Sequence, residues 1–181
     1  PGERRHFEVI ITSDFRKTGD FSAKIREEIK LLKRLGMHTA LLHVPCYNLT
    51  AYAKIDHCIR ELVDGELTEF VVYGEKLICD LLIIRDIEAF QEETRFIPDV
   101  SPEALKVVVS QAVENGRICN GEINNIGKIR CALEKHFNCP GVWYPEDPAA
   151  RKALLSDYTM ELRAVDIAKK DWPHIQDMDA W

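Results

Sequence analysis

The sequence lacks most of the short motifs that would name a chemistry. Six cysteines are present, but no C-x-x-C pair and no zinc-like spacing. With Cys58, Cys79 and Cys131 set inside apolar patterns, the thiols read as small hydrophobes of a reduced, cytoplasmic protein. There is no H-E-x-x-H and no paired His/carboxylate set, so no metal is expected. The fingerprints G-x-G-x-x-G, G-x-x-x-x-G-K-[ST] and G-x-S-x-G are all missing, which leaves NAD, P-loop and α/β-hydrolase readings without their signatures. No cofactor is expected. Basic residues number 24 against 30 acidic ones, a net charge of −6, and no Lys/Arg cluster stands out. A nucleic-acid surface is therefore not expected. No apolar run approaches the roughly 20 residues of a membrane-spanning helix. Internal repeats and low-complexity segments are absent too.

What is present is alternation. At 181 residues the chain suits one α/β domain with a full core. Phe7–Thr12 is almost wholly apolar, as a strand covered on both faces should be. A helix follows, with Phe21, Ile25, Ile29, Leu32 and Leu35 as its inner stripe. Lys24, Arg26, Glu27, Glu28, Lys30 and Lys33 are assigned to its solvated face. Asp20 or Ser22 is expected to cap its start and Gly36 to end it. Thr39–Val44 is the second strand, and residues 49–63 a second helix with Ile55, Ile59 and Leu62 inward.

Phe70–Tyr73 is a short third strand. Only Gly74–Lys76 separates it from the next apolar run, Leu77–Ile84. Because a parallel crossover needs a dozen or more residues, an antiparallel turn at one sheet edge is expected there. Residues 91–103, carrying Pro98 and Pro102, read as surface connection. Lys106–Ser110 is a further strand, residues 124–137 a helix capped by Asn124, Val142–Tyr144 a last strand and 147–155 a last helix. The tail from 157 to 181, with Met160, Trp172, Met178 and Trp181, needs a surface to lie on. The fold class expected is α/β and Rossmann-like: a mostly parallel sheet, helices on both faces, and a short antiparallel edge hairpin.

In such a sheet ligands gather at the carboxyl ends of the strands. Those ends supply Ser13, Asp14, Arg16, Thr18 and Gly19 after the first strand, and Pro45 with Cys46 after the second. Arg85 and Asp86 follow the central strand, Ser110 and Gln111 the next, Glu146 and Asp147 the last. Gly19 before a helix start would let an anionic or polyhydroxyl ligand approach the backbone, or it serves a tight turn alone. His43 sits among apolar neighbours and reads as a satisfied, buried histidine; His38, His57 and His136 read as surface.

Taken in order, VIITSDFRKTGDFSA, LGMHTALLHV, DGELTEFVVYGEKLICDLLIIRD, ALKVVVSQAV and VWYPEDPAARKALL resemble the amino-terminal domain of GT-B glycosyltransferases of the family-four type. The resemblance covers Phe7 to Leu155. It implies a 1–156 acceptor-side domain, then a 157–181 tail leading toward a carboxyl-terminal GT-B domain of the same protein. The implied partners are a nucleotide-sugar donor and a hydroxyl acceptor. A start at Pro1 and a close on Ala180–Trp181 agree with a piece of a longer protein. Under this resemblance Asp14, Arg85 and Asp86 orient acceptor hydroxyls as catalytic residues. Ser13, Arg16, Thr18, Gly19 and Gln111 bind substrate, with Arg16 and the Gly19 backbone taking the anionic part. Two departures stand out: Asp20 where a second glycine is common, and Arg85-Asp86 where a histidine or other polar group often stands. Two other readings remain: an interaction domain docking a partner through its apolar tail, and a stand-alone small-molecule enzyme or nucleotide-binding module.

Overall fold

The computed structural model describes residues 3–46, 52–91, 95–110, 126–156 and 162–173. Six strands form one parallel sheet in the order β3-β2-β1-β4-β5-β6. They are β1 (Arg5–Ser13), β2 (Thr39–His43), β3 (Thr68–Val71), β4 (Lys76–Ile84), β5 (Asp99–Val109) and β6 (Val142–Pro145). The chain builds outward from β1 in one direction, then restarts at β4 on its other side. The crevice between β1 and β4 is thus the topological switch point of a Rossmann-like sheet.

The residues of β1 divide between two cores. Phe7 and Ile10 pack with Ile126, Ile129, Leu133 and Phe137 of α3 (Ile126–Phe137). Val9 and Ile11 pack on the opposite face with Ile25, Ile29 and Leu32 of α1 (Asp20–Arg34). Both faces are therefore dry, which is why β1 and the end of β4 read as continuous apolar runs. Helix α1 closes on Gly36, at φ +71°, with Met37 N–H donating to Leu32 C=O and Gly36 N–H to Lys33 C=O. That double bond is a Schellman stop, and it leaves Leu35 exposed beyond the inner stripe.

Several boundaries depart from the sequence reading. The antiparallel edge hairpin is not formed. β3 pairs only with β2, β4 lies between β1 and β5, and all these pairings are parallel. The linker-length argument assumed that β3 and β4 would be neighbours, and they are not. Arg5 at the start of β1 binds both Glu69 of β3 and Glu75 of the connecting turn, tying that short connection across the sheet. The second helix is one turn, α2 (His57–Arg60), because Asp56 stops it from starting earlier. The Asp56 backbone N–H donates to Phe15 C=O and its carboxylate caps Cys58 N–H. β5 begins at Asp99 and passes through Pro102. Since β6 pairs only with Lys106–Val109, β5 is an edge strand at Pro102, where a missing N–H is tolerated.

Helix α4 (Pro148–Ser156) is capped by Asp147, whose carboxylate accepts from Ala150 N–H at 2.7 Å. Beyond it, the tail finds its surface on this same domain. Ile167 pairs with Trp143 in parallel, and Trp172 is buried against Tyr144, ring centroids 5.5 Å apart. Asn124 and the residues of the tail outside 162–173 lie outside the described residues. No helix among the described residues is long and apolar enough to cross a membrane.

Candidate functional site

The loop between β1 and α1 crosses the switch point, and its residues divide sharply by burial. Ser13, Asp14 and Phe15 are buried, whereas Thr18, Gly19 and Asp20 are exposed. Asp14 is the organiser of the buried half. Its Oδ1 accepts from Arg16 N (3.1 Å) and Nε (2.9 Å), its Oδ2 from Arg16 Nη2 (2.7 Å) and Cys46 N (2.7 Å). Burial alone would raise this carboxyl. The bonds from Arg16 and Cys46 outweigh burial and hold it below the usual carboxylate range. Arg16 also donates to Cys46 C=O at 3.0 Å. Asp14 and Arg16, expected to face substrates, thus form a clamp between the ends of β1 and β2.

His43 belongs to the same clamp. Its Nδ1 accepts from Phe15 N–H at 3.3 Å. Burial, with Arg16 nearby, moves its pKa below the ordinary histidine value, so the ring is neutral at pH 7.

A second cluster joins Lys17 to Asp86 and Glu88, at 2.7 and 3.2 Å, with the ammonium 5.3 Å from the Phe21 ring centroid. Burial opposes the charge on Lys17, but Asp86 and Glu88 overcome it and raise its pKa. Burial raises Asp86, while Lys17 works against that rise. At 2.7 Å, Asp86 is the nearer of the two carboxylates to the Lys17 ammonium. The Cys46 thiol lies 3.5 Å from Asp86 Oδ2, and burial beside that carboxylate pushes its pKa up, which unsuits it as a nucleophile.

Arg85 anchors a third cluster. It is fully enclosed, its Nη2 donating to Glu146 Oε1 at 2.9 Å and its Nε lying 3.4 Å from Glu28 Oε2. Lys24 reaches Glu146 at 3.2 Å. Burial would raise Glu146, but Arg85 and Lys24 hold it below its ordinary value. Nη1 and Nε of Arg85 and Oε2 of Glu28 have no hydrogen-bond partner among the described residues, so Arg85 and Glu28 meet as an ion pair without a hydrogen bond.

Glu28 corrects the sequence reading, which placed it on the solvated face of α1. It is 4% exposed. Spacing held the signal: 28 follows 25 by three and precedes 32 by four, so it falls on the apolar stripe. Lys17 was also overlooked, because nothing in its immediate neighbours announces Asp86 and Glu88, some 70 residues away.

Within the β1–α1 loop, Thr18, Gly19 and Asp20 are the exposed residues. Gly19 has φ +81° and ψ −150°, a region essentially reserved for glycine, and a Cβ added there would meet nothing within 4 Å. Backbone conformation, not crowding, requires the glycine. As the first residue flanking α1 it offers no side chain to cap that helix. The expected caps act otherwise: Asp20 is the helix's first residue, and Ser22 donates to Asp56. Ser13 is sealed beneath the loop, its Oγ without a hydrogen-bond partner among the described residues. Gln111 lies outside the described residues.

Among the described residues, two sets of three potential metal-ligand atoms lie within 4.8 Å of one another: His57/Cys58/Glu61, largely exposed, and Cys46/Asp86/Glu88. In the second, the Lys17 ammonium already supplies the positive charge. By fold and by the placement of its polar loop, the chain is a Rossmann-like α/β domain with a candidate site at its switch point. No family model, no curated protein and no solved structure matches the chain.

Proposed function

We propose that this chain is the acceptor-side domain of a two-domain, GT-B-type sugar transferase. It would hold a hydroxyl acceptor at the β1–α1 loop while a second Rossmann-like domain brings the nucleotide-sugar. The observation that supports this most is the exposed Thr18–Gly19–Asp20 rim, set at the switch point and at the amino end of a 15-residue helix that has no side-chain cap. Such a rim offers backbone donors and one carboxylate acceptor to a ligand. A polyhydroxyl compound uses both kinds of group. A diphosphate would meet the Asp20 carboxylate unfavourably, which suits the domain that does not carry the donor's phosphates. Catalysis would then be by positioning, with charge on the leaving diphosphate stabilised from the other domain.

The roles of individual residues shift accordingly. Thr18, the Gly19 backbone and Asp20 make direct contacts in this reading. Asp14 and Arg16 shape the loop from beneath, and Asp86 holds Lys17. Arg85, fully enclosed, acts from behind the rim by holding Glu28 and Glu146 rather than by touching a ligand. Titration of ¹⁵N-labelled protein with a panel of mono- and disaccharides, and separately with uridine diphosphate, tests the proposal. Shifts confined to residues 17–22 with a saccharide, and weaker with the diphosphate, are expected. A ligand-independent spectrum in that loop across the panel refutes it.

The interaction-domain reading loses part of its support, because Trp172 of the apolar tail is packed on this domain rather than offered to a partner.

A further inference from the structure

Four side chains from four distant parts of the chain meet beside the switch point: Glu28 from the middle of α1, Arg85 after β4, Glu146 after β6, and Trp172 from the carboxyl-terminal segment. The Trp172 indole N–H donates to Glu28 Oε1 at 3.0 Å, and Glu28 Oε2 faces Arg85 Nε at 3.4 Å. Glu146 holds the other end of the guanidinium. The Phe21 ring centroid lies 6.0 Å from it. Around Trp172 the segment is tied down by further bonds, among them Trp143 N–H to Asp166 C=O at 2.8 Å. The Trp172 backbone N–H donates to Pro145 C=O at 2.7 Å, Ala168 N–H to Trp143 C=O at 2.8 Å, and Arg151 pairs with Asp171 at 2.7 Å.

We propose that Glu28 is a positioning residue for Arg85, and that segment 162–173 is a latch completing that arrangement through Trp172. A carboxylate buried inside a helix must have each oxygen matched by a donor or a cation. Here one oxygen is matched by the tail and the other by Arg85. Undocking the tail removes the indole donor from Oε1 and makes the ionised form of Glu28 costlier, which loosens its hold on Arg85. Conversely, losing Arg85 leaves Trp172 bonded to an uncompensated charge. Docking of the segment and orientation of Arg85 are thus one coupled event, and any pull on the chain beyond β6 is felt at the sheet's carboxyl edge. This rests on the proposed function only in taking the sheet's carboxyl edge as the ligand-binding edge.

The test needs no sugar, so its outcome is independent of the titration above. In ¹⁵N spectra of the 181-residue chain, the Arg85 Nε–H and Trp172 indole resonances are followed in Trp172→Phe and Glu28→Gln. Trp172→Phe keeps an aromatic ring against Tyr144 while removing the indole donor and part of the ring's bulk, and it should move the Arg85 Nε–H resonance. Glu28→Gln should move both resonances and, by replacing a charged acceptor with a neutral amide, speed hydrogen exchange at the Ala168 and Trp172 amides about fivefold. An Arg85 resonance unmoved in Trp172→Phe overturns the coupling. Unchanged exchange at Ala168 and Trp172 in a folded Glu28→Gln overturns the latch. Should Glu28→Gln not fold, Trp172→Phe alone decides.

Discussion

Replacing Asp14 by asparagine tests the clamp under the loop, because the two oxygens of that carboxylate carry four donors. The amide would keep the shape but offer one oxygen. If that oxygen occupies the Oδ1 position, it retains Arg16 N and Nε and turns an NH₂ group against Arg16 Nη2 and Cys46 N–H; flipped, it clashes with the other two. Either way two donors face a donor, and the Arg16 guanidinium, 8% exposed, loses its counter-charge. Breaking a buried pair from one side costs about 3–5 kcal/mol. Arg16 keeps its bond to Cys46 C=O and a little solvent, so the lower end of that range applies. Arg16→Gln should cost a similar amount, since it strands the carboxylate instead. Urea unfolding of Asp14→Asn, Arg16→Gln and the double variant gives the coupling energy, expected at about 2 kcal/mol. Because the Asp14 pKa is depressed in the folded state, its contribution is present above the unfolded value near 3.9 and is lost as pH falls through the folded one. The acid limb of the stability curve should therefore flatten in Asp14→Asn. A coupling below about 0.5 kcal/mol, with an unchanged acid limb, would refute the clamp.

Glu28 should behave with the opposite sign, because burial raises its pKa in the folded state. Wild type should gain stability relative to Glu28→Gln as pH falls through the folded value toward the unfolded one near 4.3, read by urea midpoints between pH 7 and 5. Gly19→Ala should destabilise by about 1–3 kcal/mol through backbone strain alone, since the added methyl meets open space; a neutral result in thermal unfolding would mean the loop relaxes freely. Gly141→Ala should cost about 2–4 kcal/mol, because its methyl would lie 2.9 Å from Leu105 Cγ and 3.2 Å from the Leu105 carbonyl oxygen at φ +72°. Asp20→Asn should leave unfolding within about 0.5 kcal/mol of wild type while strengthening uridine diphosphate binding by calorimetry; weaker binding would contradict the electrostatic part of the acceptor-side reading.

The elements that could be read from the chain are those whose pattern is set locally. β1, α1 and the end of β4 announce themselves because both faces of the sheet are covered, and an apolar run or a 3.6-residue stripe survives without knowledge of partners. The pairing of β3 could not be read so. Its connection to β4 is short, and a rule that holds for adjacent strands was applied to strands separated by β2 and β1. Pro102 misled for a similar reason, since whether a proline is tolerated depends on which neighbour β5 lacks at that level. The site shows the same division. Gly19 was legible because its role is backbone conformation. The engagement of Arg16 with Asp14 and Cys46 could not be read, because it depends on where β2 ends. Glu28 could have been found, since its position on the stripe is countable; its partners Arg85 and Trp172 could not.

The distribution of charge along the sheet's carboxyl edge narrows what can bind there. Among the described residues Arg16, Lys17, Lys24 and Arg85 face Asp14, Asp86, Glu88, Glu28 and Glu146, so four cations meet five carboxylates before the exposed Asp20 is counted. Each cation is already within 4 Å of a carboxylate. A polyanion arriving at this edge would have to displace an internal carboxylate to gain a cation, and it would meet a surplus of negative charge while doing so. A neutral ligand faces no such barrier. Its hydroxyls can donate to Asp20 and accept from backbone at the start of α1 while leaving every internal pair intact. That asymmetry separates a polyol surface from a phosphate cradle, and it makes the comparison of saccharide with diphosphate the informative one: preference for the diphosphate would mean that the internal pairs open on binding, and the acceptor-side assignment would fall with them.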